Sequence, residues 1–555
     1  MTAPAHPHLS ELLDGQHTPV DEATAAQWRA DGWWEGRTLR SLLTDAASAY
    51  PHRMGLIGYR SNGPKLSRTY AEFDRNAHRA ANAFASVGVT AGDAVVIMLP
   101  NWVEYPEMVF GINEIGALYT GIPVGYGALQ AAAILRRAKA KVLVIPRRWR
   151  RHEHLALSRT LREEVPTLQH VLVVDDDDTG LGDGESLWSS HLGAPEHRLP
   201  APDPGRICYL GFTSGTTGEP KGAMHTHDTL IYSARQQAEH VGPQAFGEPM
   251  VQLVASPVGH HTGLVWGIVF TVLLGGTGVH VDRWDPEWGA QVIRGEGITT
   301  FFGAPAFLQD MLRTDLAGDP ACPLQCLVIA GAPVPRGLPA KAQEALGAYI
   351  CPAWGMTECS IALSCTPTEP ADILQTDGSL FAGSQIRIVD DNGADLGTGK
   401  VGELLIRGPG LTFGYYDRPD ATDAAFAPGL WFRTGDRADI NAHGWLSLRG
   451  RSKDIIIRGG ENIPVTDVES VIFDHPDVIN VAVVGTPDER LGERICAVVT
   501  LRTGIEELTV ATLSEFLLGR GLSKHYLPEQ VVVLAELPTT PSGKVQKFKV
   551  REMFR

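Results

Sequence analysis

A chain of 555 residues exceeds what one hydrophobic core usually holds, so a large body with at least one further domain is expected. Hydrophobic residues at 43% and charged residues at 20% set aside both a disordered chain and a membrane protein. Lys plus Arg total 48 against 64 Asp plus Glu, and the formal charge of −16 argues against broad adhesion to nucleic acid or anionic lipid, so any anionic ligand needs a local site.

The N-terminal stretch MTAPAHPHLSELLDGQHTP has neither the basic start nor the apolar run of a secretory signal, and a cytoplasmic location is expected. Apolar residues at helical spacing (Tyr70, Phe73, Ala77, Ala80, Ala81, Phe84) predict a helix over 70–86, which feeds the strand-like run AVVIML after the turn at Gly92-Asp93. The α/β alternation recurs with a helix near 128–138, a strand over 141–145 and a strand over 171–174, where four aspartates at 175–178 read as a solvated loop rather than a metal site. The uncharged stretch from Leu264 to Val281 is interrupted by Gly267, Gly275, Gly276 and Gly278, so it reads as a core helix running into a buried strand, not a membrane span. Seven cysteines form no CxxC pair and are expected to be reduced and buried.

After residue 380 the texture changes to short strands with turn signals, QIRIVDDNGADLGTGKVGELLIRGPG, which predicts an antiparallel section. Beyond Lys453 a helix over 466–474, strands over 478–485 and 496–501, a helix over 507–519 and a strand over 530–534 make a compact α+β unit. The expected fold is therefore an α/β N-terminal region, parallel layers plus a β-rich section, over residues 1–452, followed by a small mobile α+β domain over 453–555.

The most informative stretch is Tyr209-Leu-Gly-Phe-Thr-Ser-Gly-Thr-Thr-Gly-Glu-Pro-Lys-Gly222. Glycines, hydroxyl side chains and one lysine behind a strand suit a loop that wraps phosphate oxygens with backbone N–H groups. A Walker loop would end in Gly-Lys-Ser/Thr, whereas this one ends in Glu219-Pro220-Lys221-Gly222, so the P-loop reading fails on spacing.

The run from Thr213 to Gly222 resembles the signature loop of the adenylate-forming superfamily, which includes acyl-CoA synthetases, peptide-synthetase adenylation domains and beetle luciferases. Further motifs follow in that family's order: Trp354-Gly355-Met356-Thr357-Glu358, Tyr415-Tyr416, Thr434-Gly435-Asp436, Gly450-Arg451-Ser452-Lys453-Asp454 and Pro541-Ser542-Gly543-Lys544. The texture of Arg458-Gly-Gly-Glu-Asn-Ile463 and Asp488-Glu-Arg-Leu-Gly-Glu-Arg494 is similar to bacterial medium-chain and cyclohexanecarboxylate-type CoA ligases.

The resemblance implies ATP, Mg²⁺ and CoA as cofactors, and a role for each matching residue. Thr213, Ser214, Gly215, Thr216, Thr217, Gly218 and Lys221 would cradle the phosphates. Thr357 and Glu358 would stand at the triphosphate, with Glu358 on the metal, since Mg²⁺ prefers oxygen ligands combined with phosphate oxygens. Trp354, with Gly355 and Met356 after it, would offer a face to adenine opposite Gly331-Ala332-Pro333. Asp436 would accept both ribose hydroxyls and Arg451 would assist. Lys544 would be the catalytic lysine bridging two anions, Lys453 the hinge, and Gly459 and Gly460 the close approach to the thiol donor's pantetheine arm.

The acid is expected among His260, His261, Trp266, Phe302, Gly303 and Gly331, with His260 at the pocket mouth and His261 either in the pocket or a satisfied core residue. No Asp or Arg stands out there as a partner for an ammonium or second carboxylate, so an apolar monoacid is favoured. The expected activity is ATP-dependent formation of an acyl-adenylate with pyrophosphate release, then transfer to CoA. The alternative is a stand-alone adenylating enzyme that serves a carrier protein, an amine or another nucleophile, with a non-carboxylic oxyacid also open as its substrate. A degenerate nucleotide-binding regulator is disfavoured by Glu358, Asp436, Arg451 and Lys544, and a luciferase-like peroxisomal oxygenase by the ending Glu-Met-Phe-Arg. Expected partners are the small-molecule acid and a CoA or carrier-protein thiol, with no nucleic acid and no membrane insertion; a homodimer is left open.

Overall fold

The structure, a computed structural model, describes residues 8–61, 63–197, 202–214, 219–451, 456–458, 461–463, 465–488, 490–540 and 544–554. Two mostly parallel sheets form its large part. In the first, strands Tyr349–Met356, Cys326–Ile329, Thr300–Gly303, Val251–Val254, Thr277–Val281 and Met54–Tyr59 lie side by side in parallel. Antiparallel Ser360–Ser364 extends one edge and Leu66–Thr69 the other. In the second, Ile207–Ser214, Leu118–Gly121, Ala94–Ile97, Ala140–Pro146, His170–Val174 and Glu185–Leu187 are parallel, and Pro220–Thr226 turns back along the Ile207–Ser214 edge. The central strands are apolar on both faces, as parallel strands covered on both sides require.

A helical layer fills the space between the sheets. Helix Tyr70–Ser86 spans the predicted 70–86, opened by a capping box in which Thr69 and Glu72 exchange backbone and side-chain hydrogen bonds. It packs with Glu104–Ile115 and His227–Val241 in the largest core cluster, which also holds Leu56 and Val254 of the first sheet and Val95 and Ile97 of the second. The stretch from Leu264 to Val281 is a buried helix leading into the strand Thr277–Val281, with one difference from expectation: Gly263–Val269 is wound as a π-helix before the short α-helix Phe270–Leu273. Such widened turns are rare and recur at functional sites.

Strands Gln385–Val389, Gly402–Arg407, Trp431–Ile440 and Leu446–Arg451 pair antiparallel, as their turn-rich texture predicts. From residue 456 on, helices Val465–Phe473 and Val510–Gly519 accompany a sheet built around Val478–Asp488 and Gly492–Leu501, and two hydrophobic clusters consist of residues of this segment alone. Arg449 contacts Asp467 at 3.2 Å, and the Arg336 N–H donates to the Ser470 hydroxyl at 3.1 Å, tying this segment to the large part. The acidic run is a loop in which the Asp175 carboxylate accepts from the N–H groups of Asp176 and Asp177. All seven cysteines are free thiols, six of them buried; Cys322 is half-buried because it sits in the surface turn before the strand Cys326–Ile329. Among the described residues no helix is long and apolar enough to cross a membrane.

Candidate active site

The first sheet delivers the predicted residues to one edge. The parallel strand Val251–Val254 runs out toward His260, Thr300–Gly303 ends on Gly303, Cys326–Ile329 leads to Gly331 and Tyr349–Met356 carries Trp354, Gly355 and Met356 at its end. Ligands of open α/β sheets bind outside these carboxyl ends. Gly331 adopts φ +84°, a left-handed turn that lets the loop through Ala332 and Pro333 leave the sheet toward solvent. In the second sheet Ile207–Ser214 ends at the glycine-rich loop and Pro220–Thr226 returns from it, with Lys221 paired to Thr213. Gly215, Thr216, Thr217 and Gly218 lie outside the described residues, as do Lys453, Gly459 and Gly460.

The two sheets meet at Thr357. A side chain at Gly211 would put its Cβ 2.4 Å from the Thr357 methyl, so the missing side chain is what admits the turn carrying Thr357 and Glu358. His225, wholly buried on the returning strand, lies with Nε2 2.7 Å from the Thr357 carbonyl oxygen and Nδ1 3.1 Å from the Thr229 hydroxyl. Because a carbonyl only accepts, Nε2 carries the proton and Nδ1 of the neutral ring accepts from Thr229. Burial pushes the His225 pKa down to about 4, which keeps the ring neutral.

Glu358 is buried, and its Oε1 accepts from the Tyr415 hydroxyl at 2.8 Å. Burial raises its pKa, opposed by that hydrogen bond and by the charges of Arg451 and Lys221. The Lys221 ammonium sits 5.2 Å from the Tyr415 ring centroid. Asp436 and Arg451 face each other across adjacent strands, with Arg451 Nε 2.9 Å from Asp436 Oδ1. Trp354 Nε1 donates to Asp436 Oδ2 at 2.9 Å. The indole is 5% exposed, so the face expected to meet adenine is covered in this structure: its N–H seeks an acceptor when buried and finds Asp436. With one donor on each oxygen, the Asp436 carboxylate keeps lone pairs for hydroxyl donors.

On the acid side, His261 is buried, with Nε2 2.9 Å from the Ser360 hydroxyl and Nδ1 without a partner among the described residues. His225, His261, Tyr209 and Tyr119 form a run of rings with centroids 5.4–5.7 Å apart. His260 is half-buried; burial and the charge of Lys544 depress its pKa to about 4. Lys544 thus stands within electrostatic reach of His260. Trp266 and Phe302 lie parallel, ring centroids 5.5 Å apart at 5°, and both are under 4% exposed. In this structure the two rings pack face to face.

Two members of this constellation were not among the predicted site residues. Tyr415 stands in a quoted motif and acquires a partner only in three dimensions. His225 had a usable signal, a histidine two residues before the His227–Val241 helix on the strand that returns from the glycine-rich loop.

Comparison with known proteins decides the family. The profile described as AMP-binding enzyme matches residues 43–416, and that of the AMP-binding enzyme C-terminal domain matches residues 467–544. The chain belongs to the family of AMP-binding enzymes. It is similar to a medium-chain fatty-acid–CoA ligase of Escherichia coli (strain K12), 30% identical with 96% of this chain and 93% of the relative covered. It is also similar to a salicyl-AMP ligase/salicyl-S-ArCP synthetase of Mycobacterium tuberculosis, 31% identical with 96% and 94% covered. The solved structure of ATP-bound MatB from Rhodopseudomonas palustris superposes with a TM-score of 0.81 at 25% identity, covering 94% of this chain and 99% of that one. As an AMP-binding enzyme the protein is an adenylate-forming ligase that uses ATP.

Proposed function

We propose that this enzyme is an AMP-forming acyl-CoA synthetase for a compact, apolar monocarboxylic acid. The observation that carries the reading is the pair of held carboxylates, Glu358 taking the Tyr415 hydroxyl and Asp436 taking Arg451 and Trp354, at the positions that match the motifs, with Lys544 of the C-terminal segment near enough to His260 for its charge to be felt there. Attack of a carboxylate on the α-phosphate brings two anions together, and a lysine at that point stabilises the charge-dense transition state. In this reading Thr213, Ser214, Lys221 and the Gly215–Gly218 loop hold phosphates, Asp436 and Arg451 hold the ribose, and Gly331-Ala332-Pro333 with Gly355 and Met356 flank the adenine.

The donor set suits Mg²⁺. Glu358 is a buried hard carboxylate with the Tyr415 hydroxyl on Oε1, and Mg²⁺ typically takes one or two carboxylates plus substrate phosphates. Glu358 would hold the ion, which would neutralise developing charge on the triphosphate. The Tyr415 hydroxyl, donating to Oε1, fixes the carboxylate's orientation.

The domain boundary is assigned to Arg451–Asp454 with Lys453 as hinge, so that the small domain presents Lys544 for adenylation and the Gly459-Gly460 loop for thiol attack. The enzyme is assigned to the cytoplasm, in keeping with its free thiols.

A second reading, an aryl-acid adenylating enzyme serving a carrier-protein thiol, is favoured by His261: a substrate hydroxyl would satisfy its buried Nδ1. Pyrophosphate release across a panel of acids, with and without CoA, followed by mass analysis of products, separates the two. An acyl-CoA product supports the first reading; release without a CoA thioester supports the second.

A further inference from the structure

Residues 8–38, far in sequence from every motif, reach the segment that carries Tyr415. Helix Leu9–Leu12 is followed by Asp14 at φ +51° and Gly15 at φ +73°, a tight left-handed turn, and the Asp14 carboxylate anchors that turn on the Arg206 guanidinium at 2.8 and 3.0 Å. Beyond it, Trp28 at the end of helix Glu22–Ala30 and Trp34 share one hydrophobic cluster with Leu210 and Met224, on the strands entering and leaving the glycine-rich loop, and with Phe413.

The segment Pro409–Asp423 is held by two sets of partners. It follows the strand that returns from the glycine-rich loop, where the Phe413 N–H donates to the Met224 carbonyl at 2.9 Å and the Tyr416 N–H to that of Gly222 at 2.8 Å. It also meets residues 8–38. Trp34 Nε1 donates to the Pro409 carbonyl at 3.0 Å, and its indole stacks on the Phe413 ring with centroids 5.8 Å apart. The His17 main chain runs against Gly414, where an added Cβ would stand 3.4 Å from the His17 carbonyl oxygen. Gln16 Oε1 accepts from the Asp417 N–H at 2.7 Å, and His17 Nε2 donates to Asp423 Oδ1 at 2.7 Å.

These contacts bracket Tyr415. Gly414 precedes it, Asp417 follows it in the left-handed conformation at φ +54°, and Thr422, the neighbour of Asp423, accepts the Tyr415 N–H on Oγ1 at 2.9 Å. The phenol between these flanks donates to Glu358 Oε1 at 2.8 Å. Displacing either flank therefore moves the phenol against a buried carboxylate, and such a bond weakens steeply with angle. Exposed pairs such as His17 with Asp423 add little to folding, so their removal leaves the fold intact and its effect is read in the site.

We propose that Gln16 and His17 are positioning residues for adenylation: they hold the flanks of Tyr415 so that its hydroxyl keeps Glu358 oriented for the triphosphate's metal ion. This rests on the reading of Glu358 as the Mg²⁺ ligand. The test uses the full-length enzyme and follows the Mg²⁺ concentration for half-maximal pyrophosphate release, with thioester formation from supplied acyl-adenylate and CoA measured separately. The Gln16→Leu/His17→Leu double variant should raise that Mg²⁺ concentration at least about threefold and change thioester formation less than about twofold. Gln16→Glu/His17→Gln, which keeps an acceptor for the Asp417 N–H and a donor for Asp423, should return it to within about twofold of wild type. In a Tyr415→Phe background the two leucines should add less than about twofold, because the route through the hydroxyl is already cut. An unchanged Mg²⁺ requirement in the double leucine variant, or an equal increase with and without the Tyr415 hydroxyl, would overturn the positioning role while a shift in Glu358→Gln leaves the metal reading intact. No shift in Glu358→Gln would refute the metal reading and the positioning role together.

Discussion

The Nε2–H of His225 donates to the carbonyl of Thr357 across 2.7 Å, linking the strand that returns from the glycine-rich loop to the turn that carries Glu358. Thr412 holds the same turn from the other side, its N–H 2.7 Å from the Glu358 carbonyl. The turn's position is therefore set by His225 and Thr412. Replacing His225 by leucine leaves the Thr357 carbonyl without its donor in a buried place, a loss of about 1–3 kcal/mol. Adenylation kcat should fall about tenfold or more with little change in the KM for the acid, and His225→Gln, which restores an N–H donor, should recover most of it. Equal activity in the leucine and glutamine variants would remove His225 from this positioning role.

Glu358→Gln tests the metal assignment. A neutral amide is a poorer ligand for a hard cation, and Tyr415 can still donate to its oxygen, so the fold should be preserved. The apparent Mg²⁺ requirement for pyrophosphate release should rise at least roughly tenfold. An unchanged Mg²⁺ titration would take Glu358 out of the metal site.

The parallel stack of Trp266 on Phe302 sets the expected limit on the acid. Trp266→Leu opens space beside Phe302, and because apolar contacts discriminate by about 1–3 kcal/mol per methylene-sized change, the ranking of acids should shift toward bulkier ones while the KM for ATP stays within severalfold. The milder leucine is preferred to alanine, since truncating a buried Trp to Ala costs about 3–5 kcal/mol of stability. A folded variant with the wild-type ranking would show that the stack is core and not pocket.

The sequence made the periodic elements readable because their causes are local. The capping pair Thr69/Glu72 and the apolar stripe from Tyr70 to Phe84 specify the helix Tyr70–Ser86 without reference to the rest of the chain. The motif residues were picked out by resemblance, and the structure joins Trp354 to Asp436 and Glu358 to Tyr415. What stayed hidden depends on contacts distant in sequence. The engagement of the Trp354 N–H by Asp436 lies 82 positions away, and that of Thr357 by His225 lies 132 away. The π-helical winding of Gly263–Val269 was likewise invisible, since its residues read equally well as an α-helix.

The most direct test of the account is a single-turnover comparison of the two half-reactions in Lys544→Ala. Lys544 acts where the carboxylate and α-phosphate meet and should be turned away when the thiol attacks. Adenylation should therefore fall by at least about 10²–10³, the usual cost of one preorganised charge-stabilising group, while thioester formation from supplied acyl-adenylate survives. Lys453→Pro, which fixes φ near −65° at the assigned hinge, should show the opposite pattern. Equal damage to both half-reactions in folded Lys544→Ala would contradict the assignment of Lys544 to adenylation alone and, with it, the two-position cycle of the small domain.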